Sequence, residues 1–472
     1  VREAMTEYII GLDSGTSSCK VIIADSQGNV IGEGTKPHKI FSPAPNYYEQ
    51  HPKDWWIKFR EALKEALFKA KIPPRSVIAL GVTAQRSTVV PVDENGNALR
   101  PAICWMDARP SPKYRWIKEK EPEIYKKAFK IVDVQSWLIY KLTGEWKGSK
   151  ASPLLPTDDW NWDTKLIRNG EIPQDKLPEY KMPGEVVGYV KDKIASLLGL
   201  PKNLPVVCGC GDKPSGTIGA GCTSSDKLVI SYGTSLSIGT TSKVIARPPL
   251  YTGLSGIPGL YNIEMGLTSG FWMTQWFKNN LCKGKISSVK ILDLEASKLP
   301  AGSDGLLVVP YWIGPDWSLM DLKVRGIAIG WTSAHTIFHF YRAIIEGLIF
   351  EARRCKEIME NCLKRDFKDV RIIGGGSNSD FVLQTTADIF GQHVNRIQTP
   401  SAEALGAAIL ASKGVGLYRS IDEAVKHMVR ITKQFKPNSR NFEVYDDLYR
   451  HIYKKIQVFT VELYKSANAN TR

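Results

Sequence analysis

The chain has 472 residues, enough for about three domains at roughly 150 residues each, or for two large ones. With 43% hydrophobic and 24% charged residues it is not a disordered chain, and no apolar run approaches the ~20 residues that span a bilayer. Lys and Arg outnumber Asp and Glu by 63 to 48, a net charge of +15, which attracts polyanions: nucleic acid, anionic lipid or phosphorylated small molecules.

The first strand signal is Tyr8-Ile-Ile-Gly-Leu-Asp13. It runs into a small-residue turn, Gly15-Thr16-Ser17, and a second strand rich in β-branched residues from Lys20 to Asp25. Gln27-Gly28-Asn29 is turn chemistry, and Val30 restarts a strand. Such a turn lets backbone N–H groups and hydroxyls approach a phosphate, with Asp13 placed for a divalent metal and Lys20 supplying a cation. An ordinary hairpin with a satisfied Asp explains the same residues.

Pro52 to Lys71 carries apolar residues at helical spacing, and Ser76 to Thr83 reads as a buried strand. Two polar clusters follow apolar runs: Gln85-Arg86-Ser87-Thr88, and Trp105-Met106-Asp107-Ala108-Arg109. An indole face beside amide, guanidinium and hydroxyl groups suits a polyhydroxylated ligand. The alternative is a packed Trp beside an ion pair of Asp107 with Arg109 or Arg86.

At Gly209-Cys210-Gly211-Asp212-Lys213 a strand ends in glycines and a small-residue helix begins. Asp212 falls at the cap or first turn, where the helix dipole favours the ionised form. It is either a plain cap or a base for a substrate hydroxyl. Lys213 either pairs with a neighbouring carboxylate, the favoured reading, or meets an anionic substrate.

A second strand–turn–strand unit, Leu228 to Thr241, carries Gly233-Thr234-Ser235, which lies 218 residues after Gly15-Thr16-Ser17. Two such hairpins half a chain apart indicate a duplicated domain, with units 1–223 and 224–472. Ala334 to Met359 reads as a helix, and Val370 to Ile373 as a strand running into Gly374-Gly375-Gly376. That glycine turn makes room for a nucleotide, but there is no P-loop and no GxGxxG. The pattern is α/β with mixed sheets. The eight cysteines are sparse and irregular and read as packed thiols, and the polar N-terminus shows no signal peptide, so a cytoplasmic location is expected.

In order, these segments resemble the FGGY family of carbohydrate kinases from about residue 8 to residue 417. Asp13 to Lys20 is similar to the family's first phosphate loop, Gly211-Asp212 to the segment with the general base, and Ser231 to Ser235 to the second phosphate loop. Trp137 to Gly144 resembles a helix end of the N-terminal domain. Arg325 to Gly347 resembles the C-terminal signature, with Ala328 and Trp331 departing from it. Gly374 to Asp388 and Glu403 to Ala408 resemble the nucleotide-binding stretch.

The resemblance implies two actin/hexokinase-like (ribonuclease H-like) ATPase domains with a duplicated core and a cleft between them. The N-terminal one would hold the sugar and the C-terminal one the nucleotide. It implies an ATP-dependent kinase for a small sugar or polyol, using Mg²⁺. Asp212 would be the general base and Asp13 would hold Mg²⁺ through water. Gly15, Thr16, Ser17, Lys20, Gly233 and Thr234 would bind the phosphates, with Gly374, Gly375 and Ser379 beside the adenosine. Gln85, Arg86, Trp105 and Asp212 would meet the acceptor. Gln85-Arg86 matches the glycerol kinases of the family, but Ser87 stands where they have Glu; the Asp212 segment is closer to the xylulokinase-like branch, so a pentulose such as xylulose is expected, with glycerol or another polyol as the alternative. A non-enzymatic nucleotide switch on the same fold is a distant rival. Neither nucleic acid nor membrane is expected as a partner, and a homodimer or homotetramer is common in the family.

Overall fold

A computed structural model describes residues 6–152, 171–314 and 324–469. Two mixed sheets form its frame. In the first, β1 (Tyr8–Ser14), β2 (Ser18–Asp25) and β3 (Val30–Pro37) make an antiparallel meander. β4 (Val77–Ala84) lies parallel to β1, β6 (Pro205–Gly211) lies parallel to β4, and β5 (Val186–Tyr189) closes the edge, giving the order β5-β6-β4-β1-β2-β3. β1 is buried almost throughout, as befits a central strand covered on both faces.

The second sheet repeats the plan. β7 (Lys227–Tyr232), β8 (Leu236–Ser242) and β10 (Tyr261–Leu267) are the antiparallel set, with β9 (Tyr251–Leu254) outside them. β11 (Asp369–Ile373) runs parallel to β7, β12 (Val394–Ile397) parallel to β11, and β13 (Ile431–Phe435) ends the order β9-β10-β8-β7-β11-β12-β13. The 218-residue offset therefore carries strand onto strand: β1 onto β7 and β2 onto β8.

Helices expected from periodicity form nearly as read. α1 (Pro52–Ala70) buries Trp55, Phe59, Ala62, Leu63 and Ala66 and stops at Lys71 in the left-handed conformation. α2 (Val134–Thr143) ends at Gly144 with φ 85°. Two further helices are central to the site. α3 (Asp212–Gly219) follows β6, and α6 (Ala402–Gly414) follows β12, at the same place in each half. The long helix α4 (Ile337–Leu363) and α5 (Asp380–Phe390) pack on the second sheet.

α3 and α6 cross backbone to backbone. A Cβ on Gly219 would sit 1.8 Å from the Ala402 carbonyl oxygen, and one on Gly406 would sit 2.0 Å from that of Ser215. Only glycine permits this approach. Ser215 Oγ donates to the Glu403 carbonyl at 2.7 Å and locks the crossing. Leu405, Ala408 and Ile409 of α6 pack on Ile9 and Ile22 of the first sheet, so the helix of one half covers the strands of the other. The N-terminus of α6 thus meets the C-terminal end of α3 where the two helices cross. No described helix is long and apolar enough to cross a membrane.

Candidate active site

The first hairpin is held by three side chains from elsewhere in the chain. His38 Nδ1 contacts the Gly15 carbonyl at 2.9 Å, Gln50 Nε2 donates to the Thr16 carbonyl at 2.8 Å, and Trp105 Nε1 donates to Thr16 Oγ1 at 2.8 Å. Trp105 keeps 38% of its surface exposed, so an indole face remains open beside Thr16. Gln85 is spent inside: it donates to Gln50 Oε1 at 2.8 Å and accepts from Thr88 at 3.0 Å. Its place is behind the hairpin, where it steadies Gln50. Asp107 pairs with Arg109 rather than Arg86, at 2.5 Å, in a buried network that includes Glu49 and Arg100.

The second hairpin lies against the glycine turn after β11. Gly374, with φ 80°, is so close that a Cβ there would lie 2.9 Å from the Gly233 nitrogen. Gly375 has open space on its Cβ side. Gly376 backs onto Tyr232 and Phe271, whose rings stack at 4.4 Å. Thr234 is exposed at the hairpin tip. Ser379 caps α5 by accepting from the Val382 N–H at 3.3 Å.

Between the hairpins sits a cluster of charge. Asp13, at the end of β1, is 4% exposed, and its Oδ1 has no hydrogen-bond partner. Burial first, and the Glu403 carboxylate second, push its pKa well above the usual carboxylate range; Lys20 and Lys213 pull the other way. Glu403, in the first turn of α6, likewise has an unpartnered buried oxygen, Oε2, 4.0 Å from Lys20 Nζ. Burial opposes the charge on Lys20, but Glu403, Asp13 and Glu33 outweigh it and raise its pKa.

Asp212 is the first residue of α3, after the cap residue Gly211. Its carboxylate makes no hydrogen bond among the described residues. Arg86 Nε stands 3.6 Å from Oδ1, and Lys213 Nζ stands 3.8 Å from Oδ2. Arg86 also reaches across to the second sheet, where it donates to Glu264 of β10 at 2.6 Å and lies over the Tyr251 ring at 5.5 Å. Glu264 is held in turn by Asn262 at 2.6 Å. Ser87, next to Arg86, has φ 60°, a left-handed backbone that turns the guanidinium-bearing loop at the strand end.

The structure thus brings together Asp13, Lys20, Arg86 and Asp212, with Thr16 and Trp105 at one side and Gly233 and Gly374 at the other. The sequence reading missed Glu264 and took Glu403 only as the start of a stretch resembling the nucleotide-binding one, not as a member of the charge cluster. Glu403 did carry a signal: an acidic residue opening a small-residue helix, as Asp212 does in α3. Among the described residues no three His, Cys, Asp or Glu side chains gather as a protein-only metal site. Mg²⁺ prefers one or two carboxylates with water and phosphate oxygens. The orphaned Asp13 oxygen, short of positive charge, fits that ion.

The model of the FGGY family of carbohydrate kinases, N-terminal domain, matches residues 8–113 and 109–219, and that of the C-terminal domain matches residues 228–415. A xylulose kinase of Staphylococcus epidermidis is 30% identical over 98% of this chain and 99% of its own length. A glycerol kinase of Thermococcus gammatolerans is 29% identical over 92% of this chain and 94% of its own. The structure of a ligand-bound xylulose kinase from Lactobacillus acidophilus shares the fold, with TM-score 0.83 at 22% identity over 98% of this chain and 99% of that one. The chain belongs to the FGGY family of carbohydrate kinases and is an ATP-dependent phosphotransferase acting on an alcohol group.

Proposed function

We propose that the chain phosphorylates a hydroxyl of a small ketose, a pentulose such as xylulose, with Asp212 as general base. One observation carries this reading: the Asp212 carboxylate opens a helix between the two sheets, with none of its oxygens spent on a hydrogen bond among the described residues and with Arg86 beside it. A plain cap would use those oxygens on the helix backbone. The pentulose is supported by the xylulose kinase relatives that align along nearly the whole chain.

In this reading the acceptor lies on the N-terminal side, against the Trp105 face and Arg86. The nucleotide lies on the C-terminal side, in the space at Gly374 and Gly375, with its phosphates between Gly15-Thr16-Ser17, Lys20 and Gly233-Thr234. Asp13 would hold Mg²⁺, with the Glu403 carboxylate nearby. When bound, that ion neutralises phosphate charge. Asp212 takes the acceptor hydroxyl proton as the oxygen attacks the γ-phosphorus in line and ADP departs. Catalysis is then positioning plus charge neutralisation. Glycerol or another polyol is the second reading, favoured by Gln85-Arg86; Ser87 supplies no carboxylate for a polyol hydroxyl there.

The test is a panel of pentuloses, hexuloses, pentitols and glycerol, scored by acceptor-dependent ADP release. Xylulose is expected to give the highest kcat/KM. If no acceptor on the panel exceeds the rate with water, the pentulose and polyol readings both fail and the acceptor lies outside these classes. Asp212→Asn is expected to lower kcat by about 10²–10⁴-fold while ATP still binds. Near-normal turnover in that variant removes Asp212 from the role.

A further inference from the structure

Lys213 is out of place for a helix. It is the second residue of α3, where the dipole favours anions and a cation costs stability. What it faces must account for it. Its ammonium can donate three hydrogen bonds, yet it makes none among the described residues. Its nearest charge partner, Asp212 Oδ2, is 3.8 Å away, beyond hydrogen-bond reach, and the side chain is only 22% exposed. The pairing expected from sequence is thus present but loose.

Lys213 lines a small pocket with Ser231 and Ser237, which face each other across β7 and β8 beside the second hairpin, and with Glu403. Glu403 is also the neighbour of Lys20 on the first hairpin, at 4.0 Å. Lys213 therefore stands next to the base and close to residues of both hairpins. Of the other cations of the cluster, Arg86 is hydrogen-bonded to a carboxylate of its own, Glu264, at 2.6 Å, while Lys20 is held as loosely as Lys213, 4.0 Å from Glu403.

We propose that Lys213 is a further catalytic residue, whose ammonium donates to a non-bridging oxygen of the phosphoryl group as it passes between nucleotide and acceptor. The inference rests on the kinase reading with Asp212 as base. In the step, the acceptor O–P bond forms and the bond from the γ-phosphorus to the β–γ bridging oxygen breaks. The electron pair stays on ADP, the hydroxyl proton goes to Asp212, and Lys213 remains an ammonium throughout. A fixed cation aimed at the transferring group stabilises the transition state more than either ground state.

The test is binding of ADP with Mg²⁺ and aluminium fluoride, a mimic of the transferring phosphoryl group that needs no acceptor. In Lys213→Gln, ADP affinity is expected to stay within about twofold, while the aluminium fluoride complex weakens and kcat falls, both by about 10²-fold. Lys213→Arg, which keeps the charge, is expected to recover most of both losses. If the aluminium fluoride complex is unchanged and the acid limb of kcat/KM moves instead, Lys213 acts only through Asp212 and the proposal fails. It fails equally if Lys213→Gln moves neither quantity. Normal turnover in Asp212→Asn overturns the base assignment alone, because the aluminium fluoride arm does not involve that proton.

Discussion

The two halves of the chain share a backbone plan and differ in what stands on it. Both have a Gly-Thr-Ser hairpin between the first two strands of the core. In the first half, Asp13 faces Lys20 across the strands; in the second, the residue at the equivalent position, Ser231, faces Ser237. After the fourth core strand the first half places Gln85-Arg86, and the second places Gly374-Gly375-Gly376. After the fifth, both open a helix with a carboxylate, Asp212 in α3 and Glu403 in α6. Duplication supplied the turns and the helix crossing. Charge was then concentrated on one hairpin, and space on the opposite glycine turn. Such a division suits a reaction in which one side must move a proton and the other must accommodate a large polyanion.

The sharpest way to break this comparison is at the two hairpins. Asp13→Asn is expected to cost about 10²–10³ in kcat at saturating Mg²⁺, and Ser231→Ala less than about tenfold. Similar losses at both positions would mean that the hairpins had not specialised. Stability should move the other way. The raised pKa of Asp13 means that the folded chain favours its protonated form, so stability is fully present below the ordinary carboxylate pKa and is lost as pH rises through the raised value. Asp13→Asn should therefore raise the Tm of the metal-free protein at neutral pH while it removes activity.

A smaller effect is expected where the halves touch. Arg86 belongs to the first half and ends on Glu264 of the second, whose side chain is 2% exposed. Removing the arginine leaves a buried carboxylate unpaired, worth about 3–5 kcal/mol. Arg86→Ala is expected to raise KM for the acceptor by about tenfold or more and KM for ATP by less than about threefold, with stability partly restored by adding Glu264→Gln. An effect on ATP alone would move Arg86 to the nucleotide side.

The sequence made the local features readable and the distant ones not. Strands, hairpins and α1 depend on neighbours a few residues apart, and their signals survive in the residue pattern. Asp212 was visible because a strand, a glycine pair and a small-residue helix lie in one continuous stretch. Gln85 was read toward the ligand, but its amide faces Gln50, brought near by tertiary packing from 35 residues away. Glu264 was invisible for the same reason, since its partner Arg86 lies 178 residues upstream. Glu403 was read as the start of a stretch resembling the nucleotide-binding one, and its likeness to Asp212 shows only once α6 is matched with α3.

The smallest expected effect contrasts the helix caps of the two halves. In the second half, α5 is capped by a neutral Ser379. In the first, α2 is capped by Asp133, which accepts from the Ser136 N–H at 2.7 Å through Oδ1 but leaves Oδ2 buried without a partner. Burial raises the Asp133 pKa to about 6, against hydrogen bonds from Ser136 that lower it. The folded chain therefore holds this proton more tightly than the unfolded one. The stability tied to it is fully present below about pH 4 and is lost as pH rises through about 6. Asn caps as well as Asp and never ionises. Asp133→Asn should thus match the wild type near pH 4 and exceed it above pH 6, by on the order of 2 kcal/mol, or several degrees in Tm. A Tm difference that stays constant from pH 4 to pH 8 would show that the cap does not titrate in this range, and that the first half tolerates a buried carboxylate here for reasons other than the proton it keeps.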